Sequence, residues 1–156
     1  MVTVQHSSRL LAAALEYADR GWPVFPCKLD KKPYTSHGFK EATTDSEQIE
    51  TWWAQWPEAS IGIPTGAQTF LVLDVDPRHG GHVSLAQLEQ RHGELPLTRL
   101  VQTGGGGRQY YFQWPGVLIR NSAGELGAGL DVRGDGGYVI APPSGHPSGE
   151  IGRAHV

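Results

Sequence analysis

Cysteine is almost missing from this chain. Cys27 stands alone among 156 residues, so no disulfide framework forms within the chain and no cysteine zinc site is available. No apolar run reaches the ~20 residues that cross a bilayer. The N-terminus lacks a basic segment followed by an apolar one, so no secretory signal is read. Positive charge is not in excess either. Lys plus Arg number 13 against 16 Asp plus Glu, a formal charge of −3, so any basic groove for nucleic acid must be local. Repeats and low-complexity linkers are absent. These absences lead us to expect one domain in a reducing cytoplasm, with no membrane partner.

Glycine, by contrast, is plentiful. Ten of the 21 glycines cluster at 104–107 and 124–137, which signals tight turns and close backbone approach. Leu11, Leu15 and Ala18 recur at helical spacing between Ser8 and Arg20, with Ser8 as a cap and Gly21 past the end. A second helix is predicted from Thr44, where Thr44-x-x-Glu47 is a capping box, and it carries Ile49, Trp52, Trp53 and Trp56. A third is predicted over Ser84–His92 from Ser84-x-x-Gln87. Strands are expected at Ile61–Ile63, Phe70–Asp76, Leu100–Thr103, Gln109–Trp114, Val117–Arg120, Leu130–Arg133 and Tyr138–Ala141. Helices followed by a run of strands predict an α+β fold with a largely antiparallel sheet.

The segment Phe70-Leu-Val-Leu-Asp-Val-Asp-Pro77 is the most informative. Side chains alternate along a strand, so Asp74 and Asp76 share one face. Two adjacent carboxylates repel unless a cation lies between them, and hard oxygen ligands suit Mg²⁺ or Mn²⁺. Such a pair also occurs as ordinary turn chemistry, and Pro-Arg-His-Gly-Gly after it reads as a loop. A third carboxylate is wanted. Asp131 sits between Leu130 and Val132 in a predicted strand, where a charge is costly unless it faces a cleft. Asp135, among glycines, reads as a turn residue. An exposed Asp131–Arg133 pair is the plainer alternative.

Other candidates are weaker on pattern alone. The loop Thr103-Gly-Gly-Gly-Gly-Arg108 offers backbone N–H groups at Gly105 and Gly106 and the Arg108 guanidinium to phosphates, yet a flexible hairpin fits as well. It is not a Walker motif, since no Gly-Lys-Ser/Thr and no helix follow. Ala141-Pro-Pro-Ser144-Gly-His146 either holds Ser144 and His146 at the mouth of a site or is a structural turn. His79 and His82 follow the aspartates but read as loop residues. The tryptophans of the second helix read as core rather than base-stacking platforms.

In order, Gly21-Trp-Pro-Val-Phe-Pro26, Lys32-Pro33, Gly38-Phe39, Ala42-Thr43-Thr44, Trp52-Trp53, Ile61-Gly-Ile-Pro-Thr-Gly66, Leu73-Asp-Val-Asp76, Thr103-Gly-Gly-Gly-Gly107 with Tyr111-Phe112, and Gly129-Leu-Asp-Val-Arg-Gly-Asp-Gly-Gly-Tyr138 leading to Ala141-Pro-Pro-Ser144 form a specific combination. Together they resemble the N-terminal primase–polymerase domain of bifunctional DNA primase/polymerases, in the archaeo-eukaryotic primase superfamily. The resemblance covers about residues 10–149. It implies a primase–polymerase-like fold with an RRM-like catalytic half. It also implies template-directed nucleotidyl transfer from nucleoside triphosphates on a DNA template, by two metal ions held on Asp74, Asp76 and Asp131. Gly105, Gly106, Arg108, Gln109, Arg133 and Ser144 become nucleotide- or phosphate-binding candidates, and Lys31 or Lys32 candidate template contacts. The resemblance further implies replication of a plasmid, phage or mobile element, and a fused or separate helicase. One departure matters. A histidine that contacts the incoming phosphates is replaced by Gln109, which donates a hydrogen bond but takes no charge. That leaves open an impaired module that only binds nucleotide or single-stranded DNA.

The last six residues, Ile-Gly-Arg-Ala-His-Val, continue no pattern. They are encodable as ATC GGA AGA GCA CAC GTC, which matches a sequencing-adapter sequence. We therefore expect a catalytic domain over 1–150, cut short, with 151–156 as a non-native tail that completes no strand.

Overall fold

A computed structural model describes residues 4–145 and 153–155. In chain order the elements are α1 (Val4–Asp19), β1 (Phe25–Cys27), α2 (Ser46–Gln55), β2 (Ser60–Pro64), β3 (Leu71–Val75), α3 (Gly81–His92), β4 (Arg99–Gln102), β5 (Arg108–Phe112), β6 (Ser122–Ala123), β7 (Leu130–Arg133), β8 (Tyr138–Ala141) and β9 (Arg153–His155). Helices with two antiparallel sheets make an α+β fold. The chain divides into two compact units, one running to Pro64 and resuming at Tyr138, the other spanning Thr65–Gly137 with β9.

The first unit packs α1 and α2 with the sheet β1-β2-β8. The buried stripe of α1 is Leu10, Ala14 and Tyr17, one position before the expected Leu11, Leu15 and Ala18, which are only half-buried. Tyr17 selects that register because its ring is buried while its hydroxyl donates to Pro142 O at 2.7 Å. The α2 cap is Asp45, not Thr44: its carboxylate accepts from Glu47 N at 3.2 Å. Trp52 and Trp53 enter the core, and Trp53 Nε1 donates to Ala59 O. Gly62 lets the Phe25 ring cross β2, since a Cβ there would stand 2.6 Å from it.

The second unit is built on a six-stranded sheet of order β6-β7-β3-β5-β4-β9. Val72, Val75, Val101, Tyr111 and Leu130 are its buried apolar residues within strands. The expected strand Val117–Arg120 does not form. Val117 and Leu118 are exposed, so no face is buried to stabilise it, and only Arg120 makes a bridge, to Asp135. The third helix starts earlier than expected, at Gly81, and Ser84 does not cap it. Its hydroxyl donates instead to Ala128 O at 2.7 Å. Arg153–His155 pairs antiparallel with β4, contrary to the expectation that nothing after 150 completes a strand. A backbone needs only a free strand edge to pair, whatever its side chains. Residues 146–152, including His146, lie outside the described residues.

Candidate metal and nucleotide site

The site lies at the end of β3 in the second unit. β3 pairs with β7 on one side and β5 on the other, and Asp74 is the register partner of both Asp131 and Gln109. Register partners project from the same face of a sheet. Asp131, Asp74 and Gln109 therefore form a row across three neighbouring strands. The next row on this face, Arg133–Val72–Tyr111, is apolar at its centre and buried there. The acidic row thus follows an apolar one, which keeps the two carboxylates side by side.

Each aspartate has a distinct environment. Asp74 Oδ2 lies 3.4 Å from Gln109 Nε2, a weak contact, and its Oδ1 would be 4.0 Å from a Cβ added at Gly107. The same Cβ would stand 2.9 Å from Thr103 Oγ1 and 3.2 Å from Val75 O, so the glycine loop packs closely beside Asp74. Asp131 accepts from Gly124 N at 3.1 Å and from Arg133 Nη2 at 3.4 Å. Asp76 follows β3 in extended conformation and caps the short turn Pro77–His79. Its Oδ1 accepts from Arg78 N at 2.9 Å, and its Oδ2 lies 2.6 Å from His79 Nδ1. The hydrogen bond to His79, then that to Arg78 N, holds the Asp76 carboxyl below the usual range for aspartate. Sequence reasoning set His79 aside, yet it is the closest side-chain partner of Asp76.

The main chain of Asp76 is held equally firmly. Asp76 N donates to Gly129 O, and Gly81 N donates to Asp76 O, both at 2.8 Å. A Cβ at Gly81 would stand 2.5 Å from Gly129 O, and one at Gly129 would stand 2.4 Å from Gly81 N. Neither approach is open to any other residue.

The remaining candidates separate. Arg133 shares the face of Asp74, because it pairs with Val72. Arg108 pairs with Val75 and so projects from the face opposite Asp74. Gly105 and Gly106 form the tip of the β4–β5 hairpin, where Gly106 has φ +84° and Thr103 N donates to Gly107 O. Gln109 is 7% exposed and its Oε1 has no hydrogen-bond partner. Ser144 belongs to the first unit. It is buried and accepts from Ile61 N at 2.8 Å, so its hydroxyl holds a turn rather than lining a site mouth.

Among the described residues, no three His, Cys, Asp or Glu side chains form a group suited to a metal ion. Asp76 is committed to its own turn, so the shared three-carboxylate sphere expected from sequence is not closed in this arrangement. The chemistry still suits a hard divalent cation. Two carboxylates occupy paired positions on one face of adjacent strands, and repulsion between such a pair is relieved by a cation bound to both.

Comparison with known families gives a direct result. The family described as bifunctional DNA primase/polymerase, N-terminal, matches residues 14–154. The chain belongs to this family of primase/polymerase domains. Its class of chemistry is therefore nucleotidyl transfer, with DNA and nucleotides as substrates. No curated protein matches the chain. No helix among the described residues is long and apolar enough to cross a membrane.

Proposed function

We propose that this chain extends a primer on a DNA template by two-metal nucleotidyl transfer, in the replication of a plasmid, phage or mobile element, alongside a helicase. The observation that carries the reading is the Asp74–Asp131 register pair beside Gly107. Asp74 and Asp131, with Asp76 at the strand end, are the residues that would hold Mg²⁺ or Mn²⁺. Bound there, the ions supply Lewis acidity at the primer hydroxyl and charge neutralisation at the triphosphate. Arg133, on the same face, contacts Asp131 and offers its remaining N–H groups to phosphate. The hairpin tip at Gly105 and Gly106 lets a phosphate approach the main chain without a Cβ in the way. Gln109 reaches Asp74 through its amide nitrogen in a long contact of 3.4 Å.

The test is extension of a labelled primer with dNTPs and Mg²⁺ or Mn²⁺. Asp74→Ala and Asp131→Ala should each lower the rate by at least about 100-fold, the scale lost with an essential electrostatic group. Full activity in either variant overturns the assignment.

A second reading, an impaired nucleotide- or DNA-binding module, is favoured by Gln109, which is buried and uncharged where a histidine is expected. Gln109→His should tighten nucleotide binding measured by calorimetry, because an imidazolium makes a charge-assisted bond to phosphate. Unchanged affinity would make this position structural.

A further inference from the structure

His79 has no part in the transfer chemistry above, yet its Nδ1 stands 2.6 Å from Asp76 Oδ2. The local backbone brings this about. Asp76 and His79 are three residues apart across the short 3₁₀ turn Pro77–His79, and side chains at that spacing eclipse one another in such a turn. The turn is pinned throughout. His79 N donates to Asp76 O at 3.2 Å, and the main chain of Asp76 is tied to Gly129 O and Gly81 N. Pro77 fixes φ at the first position, and Gly80 closes the turn with φ +78°. The oxygen and the nitrogen are both open to solvent, with the His79 side chain 75% exposed and that of Asp76 41%. An ion pair so exposed contributes little to stability.

The spacing suits a metal ion. Six-coordinate divalent ions hold their ligands at about 2.0–2.2 Å, so neighbouring ligand atoms lie about 3 Å apart. Asp76 Oδ2 and His79 Nδ1 need to part only slightly to admit one. The ion then replaces the hydrogen between them, and the ring carries its proton on Nε2. Asp76 Oδ1 stays bonded to Arg78 N, which steadies the carboxylate. Two protein ligands leave the other positions to water or substrate phosphate. This atom set differs from that of Asp74 and Asp131, which offer oxygen alone. Mg²⁺ takes oxygen ligands and sheds water reluctantly. Imidazole nitrogen favours first-row transition ions, and affinity rises from Mn²⁺ through Co²⁺ to Ni²⁺.

We propose that Asp76 and His79 form a nitrogen–oxygen chelate for a first-row transition ion, which gives the end of β3 a metal selectivity that the Asp74–Asp131 pair lacks. His79 is the residue that sets it. The chelate rests on the proposed function only for giving this ion a part in nucleotidyl transfer. The test is calorimetric titration of the full chain with Mg²⁺, Mn²⁺ and Co²⁺, alongside NMR spectra of its histidine rings. Affinity should rise in that order, and Co²⁺ should shift the His79 ring resonances, assigned by their loss in His79→Asn. His79→Ala should weaken Co²⁺ binding by about tenfold or more and leave Mg²⁺ binding nearly unchanged. The pair is exposed, so the variants should melt as the unmodified chain does, which separates lost binding from lost fold. His79→Asn separates a ligand from a hydrogen-bond donor, since its amide N–H can still reach Asp76 but offers no nitrogen lone pair. It should bind Co²⁺ as weakly as His79→Ala. Full Co²⁺ affinity in His79→Asn would make His79 an orienting group only and overturn the chelate. So would ring resonances that Co²⁺ leaves unmoved. Primer extension with Mg²⁺ reads the other reading separately. A chain that extends no primer yet binds Co²⁺ through His79 refutes the proposed function and keeps the chelate. One that extends primers with a Co²⁺ affinity indifferent to His79 does the reverse.

Discussion

Replacing Gly81 or Gly129 with alanine tests the device that fixes Asp76. A Cβ on Gly81 would meet Gly129 O at 2.5 Å and the Asp76 N and O atoms at 2.7 Å. All are main-chain atoms, so no side chain can swing aside. Overpacking of this kind costs roughly 1–3 kcal/mol. The hydrogen bonds Asp76 N to Gly129 O and Gly81 N to Asp76 O are threatened as well, at about 1 kcal/mol each. Gly81 has ordinary helical geometry, so alanine recovers up to about 1 kcal/mol of helix propensity. The net expectation for Gly81→Ala is a loss of about 2–4 kcal/mol. Gly129 has φ +76°, which adds about 1–2 kcal/mol for a β-carbon and gains no propensity, so its loss should be about 4–7 kcal/mol. The two changes crowd the same space, so the double variant should cost less than the sum. Urea unfolding followed by circular dichroism reads the totals. Amide exchange at Asp76 and Gly81 should speed up in both variants, which localises the effect. Helix propensity alone makes Gly81→Ala neutral or stabilising, and that outcome would refute the close approach and the clamp built on it.

Two further outcomes follow from buried polar groups in the first unit. Ser144→Ala should cost about 1–3 kcal/mol in urea unfolding, because it leaves the Ile61 N–H without its acceptor in a buried strand; a neutral effect would remove the hydroxyl from the structural role assigned here. Burial, and secondarily the Asp30 charge, pushes the Cys27 thiol up to about 12. The thiol is thus held neutral in the folded chain while the unfolded one ionises near pH 8.5, so its contribution is complete below that pH. It falls by about 1.4 kcal/mol per pH unit between there and 12. Cys27→Ala should flatten this alkaline slope, and an unchanged slope would assign it to other groups.

Much of the site was legible in the sequence because it is local. Alternation along the predicted strand puts Asp74 and Asp76 on one side, although β3 ends at Val75 and Asp76 turns to cap Pro77–His79. Leu130–Arg133 and Tyr138–Ala141 were bounded correctly because glycines or proline frame short β-rich runs. The order of motifs was enough to place the chain in its family. The errors were of another kind. Which stripe of α1 is buried depended on Tyr17 finding Pro142 far along the chain. The tight turn after Asp76 starts α3 at Gly81 and leaves Ser84 to bond Ala128. A strand at 117–120 was plausible by composition but had nothing to bury.

Pairing was decided only by tertiary structure. Sequence marks Asp131 as an odd charge in a strand, but only the β3–β7 register sets it opposite Asp74. The β3–β5 register puts Gln109 beside Asp74 and sends Arg108 to the other face, a one-residue distinction that composition does not carry. The commitment of Asp76 to His79, and the Gly81–Gly129 approach that fixes its main chain, likewise depend on where a turn returns the chain. Residue type and alternation are properties of a segment, so the sequence states them directly. Register, facing and close approach are relations between segments, and they exist only once the chain has folded.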